Sequence, residues 1–128
     1  MKTILIVDDE PDVADVLAGA LQDEGYRVIW ASNGVEGLKC LRQGPVDLIV
    51  CDHMMPFMDG MTMCRQVRND PEYRRRHIVI VSVMDEAAIK DEFTAYQGYL
   101  RKPFRRAALL DMVAALLEQK AARHERIG

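Results

Sequence analysis

Acidic side chains occur at two places where the sequence predicts that a buried strand ends. Asp8 and Asp9 follow the apolar run at residues 3–7, and Asp52 follows a second apolar run at residues 46–51. Continuous runs of this kind are typical of strands that are buried on both faces of a parallel sheet. Because the carboxyl ends of parallel strands meet at one edge of the sheet, we expect the three carboxylates to lie together.

A hydroxyl and an ammonium are predicted at the same edge. Ser82 ends the β-branched run at residues 77–82, and Lys102 ends a short strand at residues 99–102. Three neighbouring carboxylates raise one another's pKa by repulsion, and a divalent cation relieves that repulsion. Oxygen ligands without a Cys or His partner suit Mg2+, with Mn2+ as a possible substitute. The pattern therefore predicts a Mg2+ site.

These groups together suit phosphoryl transfer to Asp52. A metal ion, the ammonium of Lys102 and the hydroxyl of Ser82 would neutralise the three equatorial oxygens of a phosphoryl group. A carboxylate that attacks phosphorus forms an aspartyl phosphate. We therefore predict that Asp52 is a phosphate acceptor, presented at the end of a rigid strand.

The elements that position these residues alternate along the chain. The strands are predicted at residues 3–7, 27–32, 46–51, 77–82 and 99–102. Helical spacing of apolar residues predicts helices at residues 10–25, 33–44, 61–70 and 85–96, and a long amphipathic helix from residue 104 that runs to about residue 123. This order predicts an α/β fold of the (βα)5 type, a doubly wound five-stranded parallel sheet with helices on both faces.

Composition limits the class of protein. The 128 residues fit a single domain, residues 1–128, and a net charge of -3 favours neither direct nucleic acid binding nor membrane binding. Three cysteines without metal-ligand spacing predict reduced, buried thiols. The apolar run at the start is too short for a signal peptide, and no run approaches membrane-spanning length. We therefore expect a cytoplasmic protein.

The sequence resembles the response-regulator receiver domains of two-component signalling, which have a chemotaxis-receiver-like, flavodoxin-like fold. The resemblance covers almost the whole chain and rests on the motifs "ILIVDDEPDV", "VDLIVCDHMMPFMDG", "VIVS" and "YLRKPF". It implies the strand order 2-1-3-4-5. It also implies that Asp52 is the phosphoacceptor, that Asp8, Asp9 and Asp52 bind Mg2+ with the backbone carbonyl of Met54, and that Lys102 contacts the phosphoryl group.

The resemblance also implies a switch and partners. Ser82 and Tyr99 would be the switch pair, and the Lys102-Pro103 peptide bond would be cis. The phosphodonor would be a sensor histidine kinase or a histidine phosphotransfer protein, and the output domain or protein is unknown. A homodimer through the fourth helix, fifth strand and fifth helix is a further possibility, although the segment between Ser82 and Tyr99 is shorter than in most relatives. The last helix could extend toward an output domain.

Two other functions fit parts of the pattern. A Mg2+-dependent phosphohydrolase with an aspartyl nucleophile would share the carboxylates, but Met54 stands where haloacid-dehalogenase-type enzymes carry a second Asp. An unphosphorylated pseudo-receiver that acts as a docking module would not need the complete set of acidic, hydroxyl and ammonium groups. A receiver stores a covalent signal, so we do not expect a turnover enzyme. His53 beside Asp52 is expected to point to the opposite face of the sheet, which disfavours phosphate donation between them.

Overall fold

Strands and helices alternate strictly in the computed structural model, which describes the backbone of residues 1–127 and the side chains of residues 1–118. The elements are β1 (Thr3–Val7), α1 (Pro11–Asp23), β2 (Arg27–Ala31), α2 (Gly34–Gln43), β3 (Leu48–Asp52), α3 (Gly60–Asn69), β4 (His77–Ser82), α4 (Glu86–Glu92), β5 (Gly98–Arg101) and α5 (Arg106–Ile127). The strands pair in parallel in the order β2-β1-β3-β4-β5. The predicted (βα)5 fold and strand order are confirmed.

Burial on both faces explains the continuous apolar runs of the central strands. Every residue of β1, β3 and β4 is buried. One core lies between the sheet and α2, α3 and α4, and includes Met63 and Ile89. The second core lies between the sheet and α1 and α5, and includes Leu17 and Leu109. The sheet is thus the middle of three layers, as a parallel sheet requires.

Side-chain caps fix the starts of three helices. The carboxamide of Asn33 accepts a hydrogen bond from the backbone of α2. The carboxylates of Asp59 and Asp85 do the same for α3 and α4. Such caps satisfy amides that the first turn of a helix leaves without a partner. The predicted limits of the second helix, Asn33 and Gly44, are its observed caps.

The fourth helix is shorter than predicted. The prediction extended it over residues 85–96, but α4 ends at Glu92, and Phe93 adopts an extended backbone with φ -161° and ψ 132°. Arg65 and Arg68 of α3 donate hydrogen bonds to the main-chain oxygens of Glu92 and Ala95, over 2.9 Å and 2.8 Å. These contacts, with burial of the Phe93 ring in the core, hold the following segment in a non-helical path.

Small differences affect the limits of several other elements. The third strand begins two residues later than predicted and includes Asp52. The fifth strand, Gly98–Arg101, is displaced by one residue, and the last helix starts at Arg106 rather than at residue 104. Within residues 1–127 no helix has both the length and the apolar character needed to cross a membrane. All three thiols are free, as predicted, but only Cys51 and Cys64 are buried, and Cys40 is partly exposed.

Candidate functional site

Three carboxylates meet at the carboxyl edge of the sheet. Pairing of β1 with β3 places Val7 beside Cys51, so the residues that follow Val7 lie next to Asp52. One carboxylate oxygen from each of Asp8, Asp9 and Asp52 lies within 4.8 Å of the other two. Asp8 and Asp52 are buried, whereas Asp9 is open to solvent. The predicted acidic cluster is therefore present.

Backbone contacts hold Asp8 in place. Its carboxylate accepts a hydrogen bond from the amide of Glu10 over 2.9 Å. Its main-chain oxygen accepts a hydrogen bond from the indole Nε1 of Trp30 over 2.8 Å, and its amide donates to the carbonyl of Ala31. Because both the side chain and the main chain of Asp8 are hydrogen-bonded, the carboxylate is preorganised, and its position does not depend on loop motion.

The loop after β3 returns closely against the strand that carries Asp52. A Cβ atom on Gly60 would lie 2.0 Å from the main-chain oxygen of Asp52, so only glycine permits this approach. The amide of Gly60 donates a hydrogen bond to the carbonyl of His53 over 2.9 Å. Within the loop, Phe57 has φ 70°, in the left-handed region, and its side chain is 91% exposed. The loop thus fixes the end of β3 at the expense of one strained residue.

Lys102 lies between the two buried carboxylates. Its Nζ is 3.1 Å from Asp52 Oδ1 and 3.8 Å from Asp8 Oδ2. The Lys102-Pro103 peptide bond is cis, as predicted. The amide of Lys102 also donates a hydrogen bond to the main-chain oxygen of Ser82 over 2.8 Å. The end of β5 is thereby held against the end of β4, with the ammonium directed at Asp52.

The cluster carries more negative charge than Lys102 offsets. Burial, and then the charge of Asp8, raise the pKa of Asp52 from 3.8 to about 6, although Lys102 opposes the rise. Burial likewise raises the pKa of Asp8. Burial lowers the pKa of Lys102, but the charge and hydrogen bond of Asp52 together with the charges of Asp8 and Glu10 outweigh it, so this pKa is raised. A divalent cation would relieve this imbalance, and three carboxylate oxygens suit Mg2+.

Ser82 and Tyr99, the predicted switch pair, are connected through one residue. Ser82 is the last residue of β4 and is buried. Its hydroxyl oxygen accepts a hydrogen bond from the amide of Met84 over 3.0 Å. The phenol of Tyr99 donates a hydrogen bond to the carbonyl of the same residue, Met84. Ser82 and Tyr99 thus both contact the backbone of Met84.

Comparison with known proteins identifies the family. Residues 4–114 match the response regulator receiver domain. The chain belongs to this family. A chain of 128 residues that matches over this range consists mostly of a receiver domain, and phosphorylation-activated signalling is what this family does.

Curated relatives and solved structures agree with this assignment. The receiver domain is 33% identical to protein PilH of Pseudomonas aeruginosa, over 91% of this chain and 98% of PilH. It is 34% identical to the DNA-binding dual master transcriptional regulator RpaA of Synechocystis sp., over 99% of this chain but 56% of RpaA. The chain thus spans just over half the length of RpaA.

Two solved structures have the same fold. The chemotaxis protein CheY4 of Vibrio cholerae superposes with a TM-score of 0.84 at 31% identity, over 90% of this chain and 98% of that chain. The response regulator TrrA of Thermotoga maritima, solved in complex with Mg(2+)-BeF, superposes with a TM-score of 0.82 at 32% identity, over 91% of this chain and 99% of that chain.

Sequence reasoning missed the contacts of one residue of this receiver domain, His53. The imidazole is buried, its Nδ1 lies 3.1 Å from Ser82 Oγ, and its Nε2 lies 2.9 Å from Glu92 Oε2 on α4. The expectation that His53 points away from Asp52 did not reveal these partners. The register of β3 and β4 was the available signal for the contact with Ser82. Asp52 pairs with Val81, so His53 and Ser82, the next residues along the two chains, lie side by side.

Exposed apolar side chains lie in the segments that follow β3 and β4. Met54 follows β3, and its side chain is 65% exposed. Val83 and Met84 follow β4 and are also exposed, at 59% and 43%. The position of Met54 in the loop beside Asp52 is compatible with the predicted role of its carbonyl as a metal ligand, which stays a prediction. The exposed methionines offer no polar atom that would hold a water molecule firmly.

Proposed function

We propose that this receiver domain accepts a phosphoryl group on Asp52 from a phosphohistidine of a sensor histidine kinase or a histidine phosphotransfer protein. The observation that carries the proposal is the position of Lys102 Nζ, 3.1 Å from Asp52 Oδ1, within a cluster that also contains Asp8 and Asp9. A carboxylate oxygen of Asp52 forms the bond to phosphorus while the P–N bond of the donor breaks. The electron pair of that bond leaves with the donor imidazole.

Each neighbouring group has a role in this transfer. Asp8, Asp9 and Asp52 would hold Mg2+, with the carbonyl of Met54 as a further ligand, and Mn2+ would substitute for it. When bound, the metal supplies positive charge to the phosphoryl oxygens. The ammonium of Lys102, already beside Asp52, moves onto a second phosphoryl oxygen. Because backbone contacts already hold Asp8 beside Asp52, the metal-binding part of the site requires little reorganisation.

The third phosphoryl oxygen would accept a hydrogen bond from the hydroxyl of Ser82. To reach it, the hydroxyl leaves its present contacts, and the shared residue Met84 transmits this change to Tyr99. Phosphorylation then favours a second packing of α4 and β5, because the phosphoryl group makes contacts in that packing that it does not make in the first. Ser82 and Tyr99 are thus the proposed switch pair.

The product is a stored signal rather than a released compound. We infer Mg2+-dependent self-phosphorylation from small phosphodonors and slow self-dephosphorylation. Slow hydrolysis follows from the side chains of Met54 and Met84, which cannot orient an attacking water. The output, carried by an attached domain or by a separate protein, is controlled from the face formed by α4 and β5. This domain itself binds neither nucleic acid nor membrane and works in the cytoplasm.

Incubation with acetyl phosphate and Mg2+, followed by intact mass measurement, tests the proposal. The wild type should gain one phosphoryl adduct, and Asp52→Asn should gain none. Asp15→Asn, at an exposed aspartate of α1, is the matched control and should be labelled like the wild type. Absence of an adduct in the wild type, or retention of it in Asp52→Asn, would overturn the assignment of Asp52.

A further inference from the structure

His53 connects the Ser82 hydroxyl to α4 in a single chain of hydrogen bonds. Its Nδ1 is 3.1 Å from Ser82 Oγ, and its Nε2 is 2.9 Å from the carboxylate of Glu92, the last residue of α4. The imidazole is buried, with 9% of its side chain exposed, whereas the side chain of Glu92 is 45% exposed. A buried ring with a partner at each nitrogen is fixed in orientation.

The chemistry of the partners sets the direction of each hydrogen bond. An ionised carboxylate only accepts, so Nε2 of His53 carries the hydrogen that is donated to Glu92. In the neutral imidazole, Nδ1 is then an acceptor, and the hydroxyl of Ser82 donates to it. The oxygen of Ser82 meanwhile accepts from the amide of Met84. The single hydrogen of the hydroxyl is therefore committed to His53.

This commitment competes with phosphorylation. The proposed function requires the Ser82 hydroxyl to donate its hydrogen to a phosphoryl oxygen on Asp52. A hydroxyl has one hydrogen, so the bond to His53 and the bond to the phosphoryl group exclude each other. When Ser82 turns to the phosphoryl group, His53 loses its Nδ1 partner, and the contact of its Nε2 with Glu92 is no longer held by a fixed ring.

We propose that His53 and Glu92 form a latch that holds Ser82 away from Asp52 in the unphosphorylated state and releases the end of α4 when Ser82 engages the phosphoryl group. The inference rests on the proposed function and deepens it. Both residues are positioning residues, because they act through Ser82. Glu92 fixes the tautomer and orientation of the imidazole, and the imidazole fixes the hydroxyl.

The small size of α4 makes it responsive to this latch. The helix has seven residues, of which Ile89 is the buried one. Its end is held by the Glu92 carboxylate on His53 and by the Glu92 main-chain oxygen, which accepts from Arg65. Loss of the contact between Glu92 and His53 at the end of so short a helix should raise local opening, since short segments with little buried area open most readily.

The test compares the wild type with Glu92→Ala, Glu92→Gln and the control Asp91→Ala. Asp91 is the exposed acidic neighbour on the same helix, so its removal changes the charge equally. Measurements are the rate of loading from acetyl phosphate with Mg2+ by intact mass, and hydrogen exchange of residues 86–92 before loading. Glu92→Ala should load about fivefold faster and exchange about fivefold faster, the effect of one modest hydrogen bond.

Glu92→Gln provides the rescue that separates positioning from charge. Its carboxamide oxygen still accepts from Nε2, so both rates should stay near those of the wild type, as should those of Asp91→Ala. Nitrogen-15 spectra of the imidazole should show hydrogen on Nε2 of His53 in the wild type and in Glu92→Gln, and a mixture of tautomers in Glu92→Ala. These spectra report on the tautomer of the His53 ring. If Glu92 only stabilised the fold, its replacement would leave that tautomer unchanged.

Each failure has its own signature. If the wild type loads but Glu92→Ala matches it in rate, exchange and tautomer, the latch is wrong while the phosphoacceptor assignment stands. If Glu92→Gln behaves like Glu92→Ala, charge rather than the hydrogen bond is responsible, and the latch is again wrong. If the wild type takes up no phosphoryl group, the proposed function fails, and the latch, which presupposes it, fails with it.

Discussion

Replacing Asp52 with asparagine should stabilise the metal-free receiver domain at neutral pH. The native fold holds the pKa of Asp52 at about 6 instead of 3.8, chiefly because burial disfavours its charged form. This rise corresponds to about 3 kcal/mol at about 1.4 kcal/mol per pKa unit. Asparagine resembles the neutral carboxyl in size and polarity, so Asp52→Asn removes most of this cost. Lys102 keeps Asp8 as a partner.

The upward direction of the Asp52 pKa shift determines the pH range in which Asp52→Asn is more stable than the wild type. Below pH 3.8 the carboxyl is protonated in both the native and the unfolded chain, so its ionisation costs no stability. Between pH 3.8 and about 6 the native state binds more protons than the unfolded state, and the stability of the wild type falls as pH rises. Above about pH 6 the cost is complete. The advantage of Asp52→Asn should therefore be small near pH 4 and full at pH 8.

Chemical unfolding in urea with a chelator, at pH 4 and at pH 8, measures this difference. At pH 8 the variant should be more stable by about 2–3 kcal/mol, which corresponds to roughly 10 °C in Tm for a domain of this size. Asp15→Asn, on the exposed face of α1, should change stability little at either pH. Saturating Mg2+ should narrow or reverse the gap, because the wild type gains binding free energy through Asp52.

A different result would refute the electrostatic reasoning. If Asp52→Asn destabilises the metal-free protein at pH 8, the ion pair with Lys102 outweighs burial, and the cluster does not need a cation. If the variant is more stable by the same amount at pH 4 and pH 8, the gain comes from packing and not from ionisation.

Three further predictions concern the metal, the lifetime of the phosphate and the loop. Asp9→Ala should abolish most of the rise in Tm that millimolar Mg2+ gives the wild type, and an unchanged rise would remove Asp9 from the metal site. Met54→Asn, alone and with Met84→Glu, should speed decay of the phosphorylated form about tenfold through better placement of water. Unaltered decay, followed by intact mass, would leave packing as the explanation of the methionines. Phe57→Gly should raise the free energy of unfolding by about 0.5–1 kcal/mol because it relieves a left-handed backbone, whereas Phe57→Ala, which keeps the Cβ, should show no such gain in urea unfolding.

The order of elements and the acidic cluster could be predicted because both follow from local patterns. Runs of consecutive apolar residues mark β1, β3 and β4, and each is buried along its whole length. Parallel strands share one carboxyl edge, so the positions of Asp8, Asp52 and Lys102 at strand ends were sufficient to bring them together. The cis bond before Pro103 was not accessible to this reasoning and came from the resemblance to the family alone.

The end of α4 and the partners of His53 depended on tertiary contacts. Local propensity continues a helix through Thr94 to Tyr96. Tertiary contacts show why it stops, because arginines of α3 bind the main-chain oxygens of Glu92 and Ala95 and the ring of Phe93 is buried. To predict the partners of His53, one would need the exact register between β3 and β4. One would also need the position of α4, whose end the sequence predicted incorrectly. Alternation along a strand predicts that His53 points away from Asp52, but it does not identify Ser82 and Glu92 as the partners of the imidazole.

The connection between Ser82 and Tyr99 has a consequence for how this protein can change over generations. Both contacts are made to the amide and carbonyl of Met84 and neither to its thioether. Because every residue except proline supplies the same two groups, mutation at this position leaves the connection intact. Under the proposed function, the side chain at residue 84 could therefore change the lifetime of the phosphorylated form while the backbone contacts of Ser82 and Tyr99 stay the same.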